Sequence, residues 1–154
     1  MNTKTSANDL SWMQYALSLA SKASELGEVP VGAVLIRDNK IIGEGYNTPI
    51  SNVDATAHAE IQTIRAACVT ENNYRLPGST LYVTLEPCSM CAGAIIHARI
   101  ERVVIATKEP RAGAAGSVFN ILENNQLNHC CSVQFGLCEQ ESAAMLRGFF
   151  KERR

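Results

Sequence analysis

The chain has 154 residues, of which 46% are hydrophobic, the size and composition of one compact domain; at that length folding buries roughly 70% of the surface that the unfolded chain exposes. With 14 basic and 15 acidic residues the net charge is −1, which excludes a molecule-wide electrostatic grip on nucleic acid and leaves room only for a local basic footprint. No apolar run reaches the about 20 residues that cross a bilayer, and the polar stretch Met1 to Ser11 lacks a signal-peptide core, so a soluble, cytoplasmic protein with no membrane partner is expected.

Leu10, Met13, Leu17, Ala20 and Leu26 recur near helical spacing behind Asn8 and Asp9, either of which can cap, and Gly27 supplies the stop. Residues 1–8 ahead of this helix are expected to be a flexible N-terminus. Pro30 opens the apolar run Val31 to Ile36, the polar turn Arg37-Asp38-Asn39-Lys40 follows, and Ile41 and Ile42 lead into Gly43-Glu44-Gly45-Tyr46, the pattern of a β-hairpin. Pro49, Ser51, Asn52 and Asp54 predict a loop over 47–56, and the helix formers of 57–68 predict a helix. Beyond it the pattern predicts a strand at 80–85, a helix at 89–97, strands at 102–106 and 132–135, and a helix at 139–151. Such alternation predicts a layered α/β sheet. The stretch 107–117, with Gly113, Gly116 and three alanines, is too long for a minimal turn and reads as a functional loop.

Six cysteines in a chain with no export signal and an ample core are expected as reduced thiols. Cys68, Cys130, Cys131 and Cys138 are expected to be small buried hydrophobes, although His129-Cys130-Cys131 offers ligand types without a spaced partner. Cys88 and Cys91 are different. They lie three apart at the start of a predicted helix, so they share a face, and a helix N-terminus favours thiolate. Pro87 ahead of them suits the beginning of a helix. Upstream, His58 is followed two positions later by Glu60, and His58, Cys88 and Cys91 make three zinc ligands with a carboxylate to spare.

A structural zinc closes its tetrahedron with four protein ligands, whereas a hydrolytic one keeps a position for water. Zinc held by three ligands lowers the pKa of its water from about 9 towards ~7. Glu60, outside the ligand set, is then placed for proton transfer, and the fitting reaction is hydrolytic attack on an unsaturated C–NH₂ carbon with loss of ammonia. On an ideal helix Glu60 would point away from His58, so the site requires His58 at or before the first turn. Taken singly, Cys-x-x-Cys also fits a redox pair or a closed structural zinc, and His-x-Glu fits a surface or core histidine; a zinc-stabilised binding or redox module is therefore the non-enzyme alternative.

With these residues the chain resembles the cytidine and deoxycytidylate deaminase superfamily, whose signature is His-x-Glu followed by Pro-Cys-x-x-Cys. It is similar in particular to the bacterial tRNA-specific adenosine deaminases, through the segments 28–34, 43–47, 56–61, 80–88, 91–94, 102–104 and 113–117, and the likeness runs from about Trp12 to Arg154. The resemblance implies one domain over 1–154 with a three-layer α/β/α fold and a central five-stranded mixed sheet. It also implies a homodimer with one Zn²⁺ per subunit. The implied activity is deamination of adenosine to inosine at the wobble position of an anticodon stem-loop, with an arginine tRNA bearing an ACG anticodon as partner. Matched position by position, His58, Cys88 and Cys91 hold zinc, Glu60 shuttles protons during attack on C6 of the flipped adenine, and Asn47 hydrogen-bonds that base with the Ala59 backbone beside it. Asn47 reads equally as a turn residue before Pro49.

One position departs from the pattern: the family has aspartate near a neighbouring nucleotide's sugar where this chain has Glu109, which also reads as an ordinary solvated acid. The C-terminal helix offers the local basic footprint. Arg147, Lys151, Arg153 and Arg154 with Phe149 and Phe150 match a basic aromatic tail that contacts RNA, and they equally suit dipole complementarity and core packing. His97 reads as a helix-surface residue or an RNA contact, the surface reading being favoured. The enzyme alternative is a free-base or nucleotide deaminase for guanine, cytosine or a pterin-like ring, against which stand the Gly113–Ser117 loop and the basic aromatic tail.

Overall fold

The computed structural model describes residues 7–153. Its elements are α1 (Ala7–Glu25), β1 (Gly32–Arg37), β2 (Lys40–Tyr46), α2 (Ala59–Glu71), β3 (Thr80–Leu85), α3 (Ser89–His97), β4 (Arg102–Thr107), β5 (Ser132–Phe135) and α4 (Glu139–Glu152). The strands form one sheet in the order β2-β1-β3-β4-β5. β1 runs antiparallel to both β2 and β3, while β3, β4 and β5 are parallel.

The period-2 alternation of the strands divides the core between two faces. Ala33, Leu35, Leu81, Val83, Val103 and Ile105 pack with Ala59 and Ala67 of α2 and Ala92 and Ile95 of α3. Val34, Ile36, Tyr82, Val104 and Ala106 pack with Met13 and Ala16 of α1, and Leu137 and Cys138 at the start of α4 join them. The result is the three-layer α/β/α arrangement with a five-stranded mixed sheet. The parallel pair β3–β4 is connected through α3, whereas β4 and β5 are joined by 108–131, which has neither helix nor strand and holds itself by the bridge Ala115–Asn120 and the buried Leu122. The functional loop expected over 107–117 is thus the first half of a longer irregular crossover.

Two expectations need correcting. Asp9 does not cap α1: the helix begins by Ala7, and Asp9 is buried within it, accepting the Tyr82 hydroxyl at 2.5 Å and both Arg102 nitrogens at 2.9 and 2.8 Å. A paired guanidinium and a phenol offset the cost of burying that carboxylate and tie α1 to β3 and β4. The flexible N-terminus expected over 1–8 lies outside the described residues for 1–6, while Ala7 and Asn8 belong to α1.

β2 and α2 approach closely because two strand positions have no side chain. A Cβ on Gly43 would sit 2.5 Å from the Thr63 carbonyl oxygen and 2.8 Å from the Ala67 Cβ, and one on Gly45 would sit 2.7 Å from the Gln62 Cβ. This contact presses the start of α2, which carries His58 and Glu60, onto the sheet. Gly43→Ala is expected to cost about 1–3 kcal/mol in chemical denaturation because backbone must move. Gly148→Ala, at an open position inside α4 with nothing within 4 Å, is expected to gain about 0.5–1 kcal/mol.

Candidate active site

Two helix N-termini meet at the carboxyl end of β3. His58 is the N-cap residue of α2, with extended φ/ψ of −71°/156°, and Cys88 is the N-cap residue of α3, at −75°/177°. His58 therefore lies outside the helix and Glu60 inside its first turn, the arrangement that lets both face one point. Pro87 falls one residue before the Cys88 cap. The His58 side chain makes no capping bond to its own helix, while the Cys88 sulfur is bonded by Cys91 in the first turn of α3. The partial positive charge of both helix ends falls on the sulfurs and favours thiolate.

The ligand atoms of His58, Cys88 and Cys91 all lie within 4.8 Å of one another, and among the described residues no other His, Cys, Asp or Glu joins a group of three. Zinc–sulfur bonds of about 2.3 Å and zinc–nitrogen bonds of about 2.0–2.1 Å at the tetrahedral angle span an N···S edge of about 3.5–3.6 Å. His58 Nδ1 lies 3.6 Å from the Cys88 sulfur and 3.6 Å from the Cys91 sulfur. The donor set fits zinc and leaves its fourth corner unclaimed by any described residue.

The three donors share protons with one another. The Cys91 thiol donates to Cys88 and, against burial, brings Cys88 down to about 3, with His58 adding a second bond. Cys91 is pushed far up by that bond and by burial. His58 is raised by its bond to Cys88, with burial opposing. Glu60 is 4% exposed, and burial lifts its carboxyl to about 7, opposed by its own backbone N–H and by His58. A carboxyl poised near neutrality beside the donor set is suited to taking and returning a proton.

A cavity of about 250 Å³ opens over this group, lined by Asn47, His58, Glu60, Cys88, Glu109 and Ala112 among others. Asn47 Oδ1 accepts the Ala59 N–H at 2.8 Å, which caps α2 from the neighbouring loop and fixes the amide orientation. The remaining Nδ2 is a donor on the cavity wall. Ala59 is thereby committed to holding Asn47: its N–H is spent there, and its carbonyl accepts the Thr63 hydroxyl at 2.8 Å. Glu109 lines the cavity, with its Oε1 accepting the Arg111 N–H at 2.9 Å, so the departing residue folds onto its own turn.

The cytidine and deoxycytidylate deaminase zinc-binding region matches this chain over residues 6–107. A tRNA-specific adenosine deaminase of Haemophilus influenzae is 50% identical over 147 residues, covering 95% of this chain and 85% of its own. The chain belongs to the tRNA-specific adenosine deaminase family. A solved structure from studies of A-to-I editing by tRNA:A34 deaminases at the wobble position superposes with a TM-score of 0.85 at 45% identity, covering 88% of this chain and 99% of that one. Guanine deaminase from Bacillus subtilis aligns with a TM-score of 0.63 at 38% identity, over 75% of this chain and 71% of its own. The zinc cofactor of the family accords with the His-Cys-Cys group described above.

Two residues of the site were not singled out in sequence. Glu28 is buried and accepts the Ser51 N–H at 2.7 Å, the Ser51 hydroxyl at 2.8 Å and the Ile50 N–H at 3.3 Å, which pins the loop carrying Asn47. Glu86, also buried, accepts donors from Glu109, Ala115 and Ser117. Burial opposes its charge, yet the bonds from Ser117, Glu109 and Ala115 hold its carboxyl below the ordinary value. Both acids sit inside apolar or motif segments where a carboxylate needs donors, and that was the available signal.

The C-terminal footprint is narrower than expected. Phe149 is corrected to a core residue: it is 6% exposed, packs edge-on against Phe150, and has the Arg153 guanidinium 3.6 Å from its ring centroid. Arg153 is thus folded onto its own helix end. Arg147, Phe150 and Lys151 line a surface groove with Leu146, and Phe150 is 50% exposed. Arg154 lies outside the described residues. His97 is exposed at the last turn of α3. Of the four remaining cysteines only Cys131 is buried; Cys130 is exposed because it sits in the irregular crossover, where its thiol donates to the Asn124 carbonyl at 3.2 Å. Cys68 and Cys138 are half-buried.

Zinc binding must displace the proton that Cys91 holds, so affinity is expected to weaken as pH falls. A chelator competition run at pH 6 and at pH 8 checks this, with tighter binding at the higher pH; equal affinity would contradict a thiolate donor set. His58→Ala and Cys88→Ser are each expected to leave the protein with well under one zinc per chain by elemental analysis.

Proposed function

We propose that the protein hydrolyses adenosine to inosine at the wobble position of a tRNA anticodon, with His58, Cys88 and Cys91 holding one zinc per chain and Glu60 moving the protons. The observation that carries this is the three-donor group with a buried carboxyl beside it, both lining a cavity of about 250 Å³. At about 250 Å³ the cavity falls below the ~300–1,000 Å³ of sites for drug-sized ligands, which suits a single base presented by a larger molecule.

Zinc bound there supplies an activated water at near-neutral pH. Glu60 takes a proton and returns it to the ring nitrogen or the departing amine, a role open to a buried carboxyl that lines the cavity outside the donor set. Asn47 presents Nδ2 to an acceptor on the base while Ala59 holds the amide in that orientation. Val29, Val31 and Leu85 close the walls with apolar surface and keep bulk water from the reacting carbon. Leaving the duplex stack is unnecessary for an anticodon base, which is unpaired in its loop.

The remaining details rest on the family resemblance: the arginine tRNA with an ACG anticodon, the homodimer and the cytoplasmic location. No helix among the described residues is long and apolar enough to cross a membrane. Arg147, Phe150 and Lys151 are proposed to contact RNA outside the anticodon loop, supported by their shared groove.

The test is incubation with an anticodon stem-loop bearing wobble adenosine, and separately with guanine, cytosine and free adenosine. Inosine in the stem-loop with inert free substrates is expected; rapid turnover of guanine with an untouched stem-loop would assign the protein to the free-base deaminases. Glu60→Ala is expected to keep about one zinc per chain and to lose at least on the order of 10² to 10⁴ in turnover. Unchanged turnover in that variant would overturn its role.

A further inference from the structure

Glu86 follows the last residue of β3 and precedes the zinc-ligand turn, yet its carboxylate serves another segment. Oε1 accepts the Glu109 N–H at 3.0 Å and the Ser117 hydroxyl, and Oε2 accepts the Ala115 N–H at 2.9 Å and the Ser117 N–H at 3.1 Å. A carboxylate has about four acceptor positions, so all are filled. The neighbouring Pro87 carbonyl takes the Ala114 N–H at 2.8 Å. Gly113 lies against the same carboxylate, and any Cβ there would collide with it. The segment so held carries Glu109 and Ala112 into the cavity and lies in a crossover with neither helix nor strand to stiffen it.

We propose that Glu86 is a positioning residue for the reaction: one buried carboxylate shapes the 109–117 wall of the cavity, and through Glu109 and Ala112 sets how the substrate base and its neighbours fit. This rests on the deaminase reading above. Four donors converging on both oxygens make the claim sharp, because glutamine cannot accept at both. With its amino group at the Oε2 position a glutamine would face two backbone N–H groups. With it at the Oε1 position it faces only the Glu109 N–H and a hydroxyl that can rotate to accept. Glu86→Gln therefore releases the Glu109 end of the wall and keeps the Ala115 and Ser117 end.

The test uses the full-length zinc-loaded protein and its Glu86→Gln and Glu86→Asp variants. Kinetics on the wobble-adenosine stem-loop are measured together with zinc content and residue-resolved amide exchange over 108–117. Expected for Glu86→Gln is a fall in kcat/KM on the order of 10- to 100-fold with the larger share in KM, about one zinc per chain, and faster exchange at Glu109 with Ala115 and Ser117 still protected. Glu86→Asp, one methylene too short to reach both ends of the wall, is expected to fall as well. A kcat/KM equal to wild type would overturn the proposal. So would a loss confined to kcat, which marks a smaller folded fraction, or a loss of zinc in step with activity, which marks a role in holding metal. In the wild-type protein alone, fast exchange at Glu109, Ala115 and Ser117 also overturns it, whatever the variants do. A wild-type protein that leaves the stem-loop untouched rejects the deaminase reading, and the exchange pattern still decides whether Glu86 holds the wall.

Discussion

The meeting of two helix N-termini at one point is the constraint on which the rest of this structure depends. His58 and Cys88 cap α2 and α3 from extended backbone, and their donor atoms stand 3.6 Å apart, an edge of a zinc tetrahedron. Each helix is located by something remote. α2 is set by its close approach to β2, where Gly43 and Gly45 remove the side chains that would hold it off. α3 is set by Ala92 and Ile95 packing under β3 and β4, and by the short turn from Leu85 to Cys88. Sheet, helices and metal site are therefore one mechanical unit, and a shift of a few tenths of an ångström in either helix would be felt at the donor set.

Around that fixed centre the walls are irregular backbone, and two buried carboxylates replace the hydrogen bonds that regular structure would have supplied. Glu28 gathers the loop on the Asn47 side, and Glu86 gathers the crossover on the Glu109 side. Charge-assisted bonds of this kind are roughly twice as strong as neutral ones, and burial makes each missing partner costly. Loops anchored in this way hold a defined cavity. The burial that makes the clamps effective also removes water from Glu60 and lifts its carboxyl to about 7. Wall and proton carrier are thus consequences of the same exclusion of solvent.

Much of this was legible in the chain because short-range rules dominate where it was legible. The apolar run Val31 to Ile36, the β-branched and apolar stretch Thr80 to Leu85, the turn at Asp38-Asn39 and the glycine at 27 placed the elements within a few residues. The Cys-x-x-Cys spacing after a strand located the metal group, and the requirement that His58 precede its helix follows from helical geometry alone. What escaped depends on partners distant in sequence. Asp9 looked like a cap because caps are local, whereas its partners Tyr82 and Arg102 are 73 and 93 positions away. Phe149 looked available for stacking until the helix was docked and Arg153 folded across it. Glu28 and Glu86 read as flanks of motifs because nothing nearby in the chain announces the loops that donate to them.

Central to the account is an open zinc held by one histidine and two cysteines, with Glu60 beside it and not on it. X-ray absorption at the zinc edge of the wild-type protein and of Glu60→Ala tests this most directly. The account predicts two sulfur neighbours at about 2.3 Å and two lighter neighbours at about 2.0–2.2 Å in both proteins. Three or more sulfurs, or a lighter neighbour that disappears in Glu60→Ala, would contradict it.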